Sequence, residues 1–185
     1  MEMKGHVCKR ISAFPLEKFH QLGTGKGKRI LIVGESPAPN GWIISGKACY
    51  RADGKILPTG KRLNELLSPL GTSVEESGFT ELSKCFVSSR NELNVCSKKC
   101  WPIFLNQIKS QDYKLLIILG VNTSNIFSKL ICRELVIGEI SDIELESRKY
   151  KVFPIFHPSP INPTGQAKNL LLFKNHYSIL AEILG

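Results

Sequence analysis

Short β-branched apolar runs that alternate with helical periodicity predict an α/β chain. The expected form is three layers, α/β/α, around a central, mostly parallel four-stranded sheet. RILIV at 29–33 and KLLIIL at 114–119 are continuous apolar runs, each closed by a glycine, as strands buried on both faces should be. KRLNELLSPL at 61–70 places Leu63, Leu66, Leu67 and Leu70 at i, i+3, i+4 and i+7, the stripe of an amphipathic helix.

The remaining elements follow in order. GTGKGKR before the first strand lacks the GK[ST] of a phosphate loop and precedes a strand where such a loop should follow one; it reads as a flexible basic connector. GESPAPNGW, after the first strand, is a loop dense in Pro and Gly. Residues 43–58 read as loop and short extended pieces. TELSKCFV at 80–87 is a second, less apolar strand. CWPIFLNQIKS at 100–110 has helical spacing, with Pro102 acceptable in a first turn. A helix is expected over 122–132, capped by Asn122 or Thr123, with Cys132 as a core residue at its end. Residues 135–149 are polar and acidic, a hairpin-like excursion. YKVFPIF at 150–156 is the fourth strand, and Pro154 marks it as an edge or as irregular. A loop, HPSPINPTGQ, leads to one long closing helix over 168–184.

The chain has 185 residues, 42% hydrophobic and 22% charged, which suits a single domain over 1–185 with a basic N-terminal arm at 1–28. That composition excludes global disorder, a collagen repeat and a coiled coil. Lys plus Arg exceeds Asp plus Glu by 25 − 16 = 9, an excess that points to a polyanion, nucleic acid first. No apolar run approaches the ~20 residues of a spanning helix, and the N-terminus has no apolar signal core, so an intracellular, cytoplasmic protein is expected. Its six cysteines then read as thiols or metal ligands before disulfides.

Ligands of an open parallel sheet bind beyond the carboxyl ends of the strands. Two proline-stiffened loops sit at such ends: Gly34-Glu35-Ser36-Pro37-Ala38, and His157-Pro158-Ser159-Pro160-Ile161. Stiff loops hold donors in place with no ordering cost at the moment of reaction. Alone, His157 reads first as a surface or strand-end histidine bonded to backbone.

These residues resemble the uracil-DNA glycosylase superfamily over roughly residues 29–184. HPSPI is similar to the HPSPL loop of the prototypical uracil glycosylases. GESPA and the cysteines look closer to the iron–sulfur families four and five, whose first motif reads GEAPG or GEAPA. The resemblance implies a monofunctional DNA glycosylase, acting as a monomer on DNA in the cytoplasm, at the nucleoid. It would flip a deaminated base, uracil first, and hydrolyse its N-glycosidic bond. Gly34, Glu35, Ser36, Pro37 and Ala38 would form the water-activating loop, with Ser36 where other families have Asp, Asn or Ala. A serine hydroxyl positions water but is a poor base; Glu35 could orient water or stabilise an oxocarbenium-like centre. His157, neutral, would donate to the departing base's O2. Ser159 would contact substrate, and Ile161 would fill the hole left by the flipped base. Tyr50 falls near the stacking aromatic, with Cys49 one residue away as the alternative.

Glu81 departs from the pattern. The family reads uracil there with an Asn amide, which accepts and donates, whereas an ionised carboxylate only accepts. Among the cysteines, Cys85 and Cys100 match family ligands; Cys8 and Cys96 would complete a structural [4Fe–4S] set, with zinc as the alternative. Ser88, Ser89, Arg90, Lys98 and Lys99 could then meet phosphates. The competing reading is a metal-stapled nucleic-acid-binding module with little or no catalysis; a small-molecule α/β enzyme is disfavoured by the lack of a dinucleotide fingerprint or nucleophile elbow.

Overall fold

A computed structural model of the chain describes residues 20–38 and 41–185. Its centre is a five-stranded sheet in the order β2-β1-β3-β5-β4. The strands are β1 (Ile30–Gly34), β2 (Gly78–Glu81), β3 (Leu115–Leu119), β4 (Ser141–Leu145) and β5 (Arg148–Ile155). β2, β1, β3 and β5 run parallel, and β4 is antiparallel to β5. The helices are α1 (Trp42–Ser45), α2 (Pro58–Leu67), α3 (Arg90–Lys109), α4 (Val121–Leu130), α5 (Pro163–Asn175) and α6 (Tyr177–Leu184).

β1 and β3 are buried throughout, which explains why both read as unbroken apolar runs. Their alternate side chains feed two cores. Leu31, Val33, Leu116 and Ile118 pack with Phe104 and Phe127 of α3 and α4. Ile30, Ile32, Leu115 and Ile117 pack with the α2 leucines and with Phe173 and Leu180 of α5 and α6. Truncating a buried residue such as Ile117 to Ala should cost about 2–5 kcal/mol.

The strand count of four is corrected to five. The extra strand is β4, the hairpin partner of β5 within the excursion expected at 135–149; Glu146 and Ser147 turn it with positive φ, 51° and 61°. Pro154 does not mark an edge strand, because β5 lies between β3 and β4. Lys151 and Ile155 bond toward β3, so Pro154 faces the other way, past the last β4 pairing at Val152, where it needs no N–H; its carbonyl accepts from Gly138 at 2.8 Å. β2 ends at Glu81, not at 87, because the chain bends there to fold Lys84 into the interior.

α3 begins ten residues earlier than 100. Ser89 Oγ accepts from Glu92 N–H at 3.2 Å while the Glu92 carboxylate accepts from Ser88 N–H at 2.8 Å, a reciprocal cap that sets the start there; Pro102 therefore lies inside the helix and not in its first turn. α4 is capped by neither Asn122 nor Thr123: Gly120, at φ 92°, precedes it with no side-chain cap. Cys132 is exposed, outside the core. The closing helix is two. The break is at His176, whose Nε2 lies 2.9 Å from Gly138 O and whose ring packs edge-on to Phe153. The basic connector is a 3-10 turn, Gly25–Arg29, and Gln21 pairs with Phe79 across the edge of β2. No helix among the described residues is long and apolar enough to cross a membrane.

Candidate active site

The carboxyl ends of β1, β2, β3 and β5 surround a cavity of about 310 Å³. Gly34, Glu35, Ser36 and Ala38 line it from the end of β1 and the loop after it, Phe79 and Glu81 from β2, Leu119 from the end of β3 and His157 from the loop after β5; Gly41, Trp42, Cys49, Leu57 and Thr59 complete the lining. The GESPA and HPSP loops, more than a hundred residues apart in sequence, therefore meet at one hollow. Trp42 and Phe79 stand edge to face, centroids 5.3 Å apart, and give it an apolar wall.

Each loop is anchored. Leu82 N–H donates to Gly34 O at 2.9 Å and Ser83 N–H to Glu35 O at 3.0 Å, continuing the β1–β2 ladder into GESPA. The HPSP loop is clamped at its root by Asn169, fully buried on α5: its amide accepts from Phe156 N–H at 3.0 Å and donates to Phe156 O at 2.8 Å. At its tip, Arg62 of α2 donates to Ser159 O at 2.5 Å. Gly120 lets β3 turn close to His157: a Cβ there would lie 3.1 Å from the histidine's own, at a φ of 92°.

Electrostatics differ from group to group. His157 opens to solvent at the rim, yet the wall crowding its ring lowers its pKa and favours the neutral imidazole. Burial raises Glu35, against the pull of Arg90. Glu81 is only 8% exposed, and burial pushes it up to about 8 despite Lys84; Glu35 adds to the rise. Gly34 makes room for it, because a Cβ there would lie 2.1 Å from Glu81 Oε2. Lys84, wholly buried, is lowered to about 7 by desolvation. Its ammonium donates to Thr80 Oγ1 at 2.7 Å and to the Glu81 main-chain oxygen, and Thr80 donates onward to Gln107 Oε1 at 2.7 Å. Burial drives the Cys49 thiol up to about 12, so it supplies no thiolate nucleophile near neutral pH.

Of the residues singled out from sequence, Gly34, Glu35, Ser36, Ala38, Glu81 and His157 line the cavity; Pro37, Tyr50, Ser159 and Ile161 do not. Tyr50 donates its hydroxyl to Glu75 and lies under Lys47 Nζ at 3.9 Å from its ring centre; Cys49 holds the wall position instead, at φ 64°. Ile161 projects from its loop, 92% exposed. Sequence reading missed Phe79, Trp42, Leu57, Thr59 and Leu119 in the wall, and Arg62 and Asn169 behind the HPSP loop. Phe79 carries a signal, two residues before Glu81 on the same strand; the others carry none.

The cysteines form an incomplete set. Cys85, Cys96 and Cys100 are all buried, Cys96 and Cys100 one turn apart on α3, and Cys100 Sγ accepts from Lys84 N–H at 3.3 Å. Among the described residues no three His, Cys, Asp or Glu side chains converge into a group that could hold a metal, and Cys8 lies outside the described residues. The described thiols alone thus do not make up the four ligands of an iron–sulfur cluster or a tetrahedral zinc.

The chain is 24% identical over 161 residues to the type-4 uracil-DNA glycosylase of Archaeoglobus fulgidus, covering 83% of this chain and 77% of the relative. A family model described as the uracil DNA glycosylase superfamily matches residues 21–181, from the Gln21 bridge to α6. The chain belongs to the uracil-DNA glycosylase superfamily.

Proposed function

We propose that the protein is a monofunctional DNA glycosylase that extrudes a deaminated base, uracil in the first instance, and hydrolyses its N-glycosidic bond to leave an abasic site. The observation that carries this reading is the meeting of the GESPA and HPSP loops around one hollow of about 310 Å³ with aromatic walls. The extruded base lies against Phe79 and Trp42, and stacking of this kind is worth ~1–3 kcal/mol. Ser36 and Glu35 orient the attacking water, and Glu35 faces the positive charge that grows on the sugar. His157, neutral, donates its ring N–H to base O2 as negative charge collects there, preorganised by the Asn169 and Arg62 clamps. Ile161, already exposed, enters the stack vacated by the base, offsetting part of the few kcal/mol of extrusion. The basic excess of nine charges holds the phosphate backbone.

In this reading the enzyme works as a monomer on chromosomal DNA in the cytoplasm. Cys8, Cys85, Cys96 and Cys100 are the candidate ligands of a structural [4Fe–4S] cluster; what supports this is the burial of three of them, Cys96 and Cys100 one turn apart on α3. Iron and zinc content and the visible spectrum of anaerobically purified protein decide between cluster, zinc and free thiols.

The test of the activity is release of free uracil from single-stranded and U:G oligonucleotides by wild type and His157→Ala. Release that collapses in the variant supports the reading; equal rates on every deaminated base overturn the site. Salt-dependent DNA binding with no base released favours instead a binding module of the same fold.

A further inference from the structure

Glu81 Oε2, in the lining of the cavity, is a buried carboxyl oxygen with no hydrogen-bond partner among the described residues. A buried acceptor left unmade is costly, and such orphans in native sites mark places where something else completes the bonding. None of the described residues bonds to Glu81 Oε2, and Gly34, against which it stands, has no side chain. The titratable groups that face it are Glu35 from the loop after β1, Lys84 from the turn after β2, Cys49 from the loop after α1, and His157 from the loop after β5. Lys84 sends its ammonium to Thr80 Oγ1 and to the main-chain oxygen of Glu81.

A carboxylate at this place would set two acceptors against a base edge. It could take the ring N–H of uracil but would repel the neighbouring carbonyl oxygen. A carboxylic acid has one acceptor and one donor, the complement of a ring N–H beside an exocyclic C=O. That pair is the lactam edge, N3–H and O4 in uracil, N1–H and O6 in hypoxanthine.

We propose that Glu81 reads the extruded base as a neutral carboxylic acid, its carbonyl oxygen accepting the ring N–H and its hydroxyl donating to the adjacent carbonyl, so that the substrate class is the lactam-edged bases, uracil and hypoxanthine alike. The inference rests on the glycosylase reading of this cavity and names what that cavity selects. The raised pKa of about 8 is in keeping with it, since the acid then keeps its proton at neutral pH. The Gly34–Glu81 register of β1 and β2 fixes where the carboxyl stands.

The test has two arms. In the first, free uracil, hypoxanthine and 3-methyluracil are titrated against the protein, with quenching of Trp42 in the cavity wall as the signal. In the second, base release is followed from oligonucleotides carrying uracil or hypoxanthine. Uracil and hypoxanthine should both bind, and 3-methyluracil, which lacks the ring N–H, should bind ~10- to 100-fold more weakly. Glu81→Ala should lose a similar factor in binding and release, and Glu81→Gln, whose amide also accepts and donates, should restore most of it. Wild-type binding should weaken as pH rises through about 8, where Glu81 ionises, and the Glu81→Gln profile should stay flat there. The inference is overturned if Glu81→Ala binds uracil as wild type does, if 3-methyluracil binds equally, or if the alkaline weakening persists in Glu81→Gln. Base binding that follows the expected pattern without release from DNA would remove the catalytic reading and leave the recognition role standing; release that is indifferent to Glu81 would do the reverse.

Discussion

At the amino ends of β3 and β5 the protein has a cleft of about 460 Å³, lined by Lys109, Asp112, Lys114, Arg148 and Lys149 among others; at the carboxyl ends of the same strands lies the smaller hollow of about 310 Å³ that holds Glu81 and His157. The larger cleft carries paired surface charges. Lys114 pairs with Asp112 at 2.7 Å, Lys109 pairs with Glu146, and Arg148 donates to Lys109 O at 3.2 Å. The smaller one has a carboxyl oxygen unpaired among the described residues, an acid raised by burial, an imidazole at the rim lowered by the wall against its ring, and loops pinned from α2 and α5. Size therefore does not single out the candidate site. What sets it apart is a carboxyl group held out of water at a desolvation cost that surface pairs never meet.

The contrast can be broken most directly at His157. His157→Ala should lower base release by ~100- to 1000-fold, the cost of removing a preorganised donor, with thermal stability little changed because the side chain opens to solvent. Gly34→Ala should follow: its Cβ would lie 2.1 Å from Glu81 Oε2, so the carboxyl must move, base binding should fall about tenfold, and overpacking should cost ~1–3 kcal/mol in denaturant unfolding.

A pH series sharpens it further. Burial raises Glu81 from 4.5 to about 8, so between those values the folded protein keeps a proton that the unfolded chain has lost. Its contribution to stability therefore falls as pH rises through that window. Lys84, lowered from 10.5 to about 7, works in the opposite sense above neutrality. The Tm of Glu81→Gln, followed from about pH 5 to about 8, should lack the wild-type decline.

Ile161→Ala should leave stability within about 0.5 kcal/mol, because the side chain is 92% exposed, while slowing release from duplex several-fold more than from single strands. The smallest effect belongs to the other end of the sheet. Lys114→Ala should change stability by less than about 1 kcal/mol, as exposed ion pairs do, and should leave base release from an oligonucleotide unchanged.

Much of the fold was legible because it depends on local pattern. RILIV, KLLIIL and the four leucines of α2 declare their burial without reference to any partner. The start of α3 was also legible, in Ser89-Arg90-Asn91-Glu92, a capping box that the pull of Cys100 and Pro102 obscured. The break at His176 was not, since it comes from a ring docking on Gly138 and Phe153, far away in the chain. β4 hid because an edge strand needs only one buried side chain, Ile143, in five residues.

The sequence by itself determined that strands and helices alternate, that two proline-stiffened loops follow two of the strands, and that the surface carries excess positive charge, because each is a property of neighbouring residues. Only the tertiary structure decided that Phe79, Trp42 and Leu119 wall the hollow, that Tyr50 turns away to Glu75, and that Glu81 stands over Gly34 with an oxygen unpaired. Those outcomes follow from strand register and from how far each side chain is taken out of water, and both are set by segments far apart in the chain.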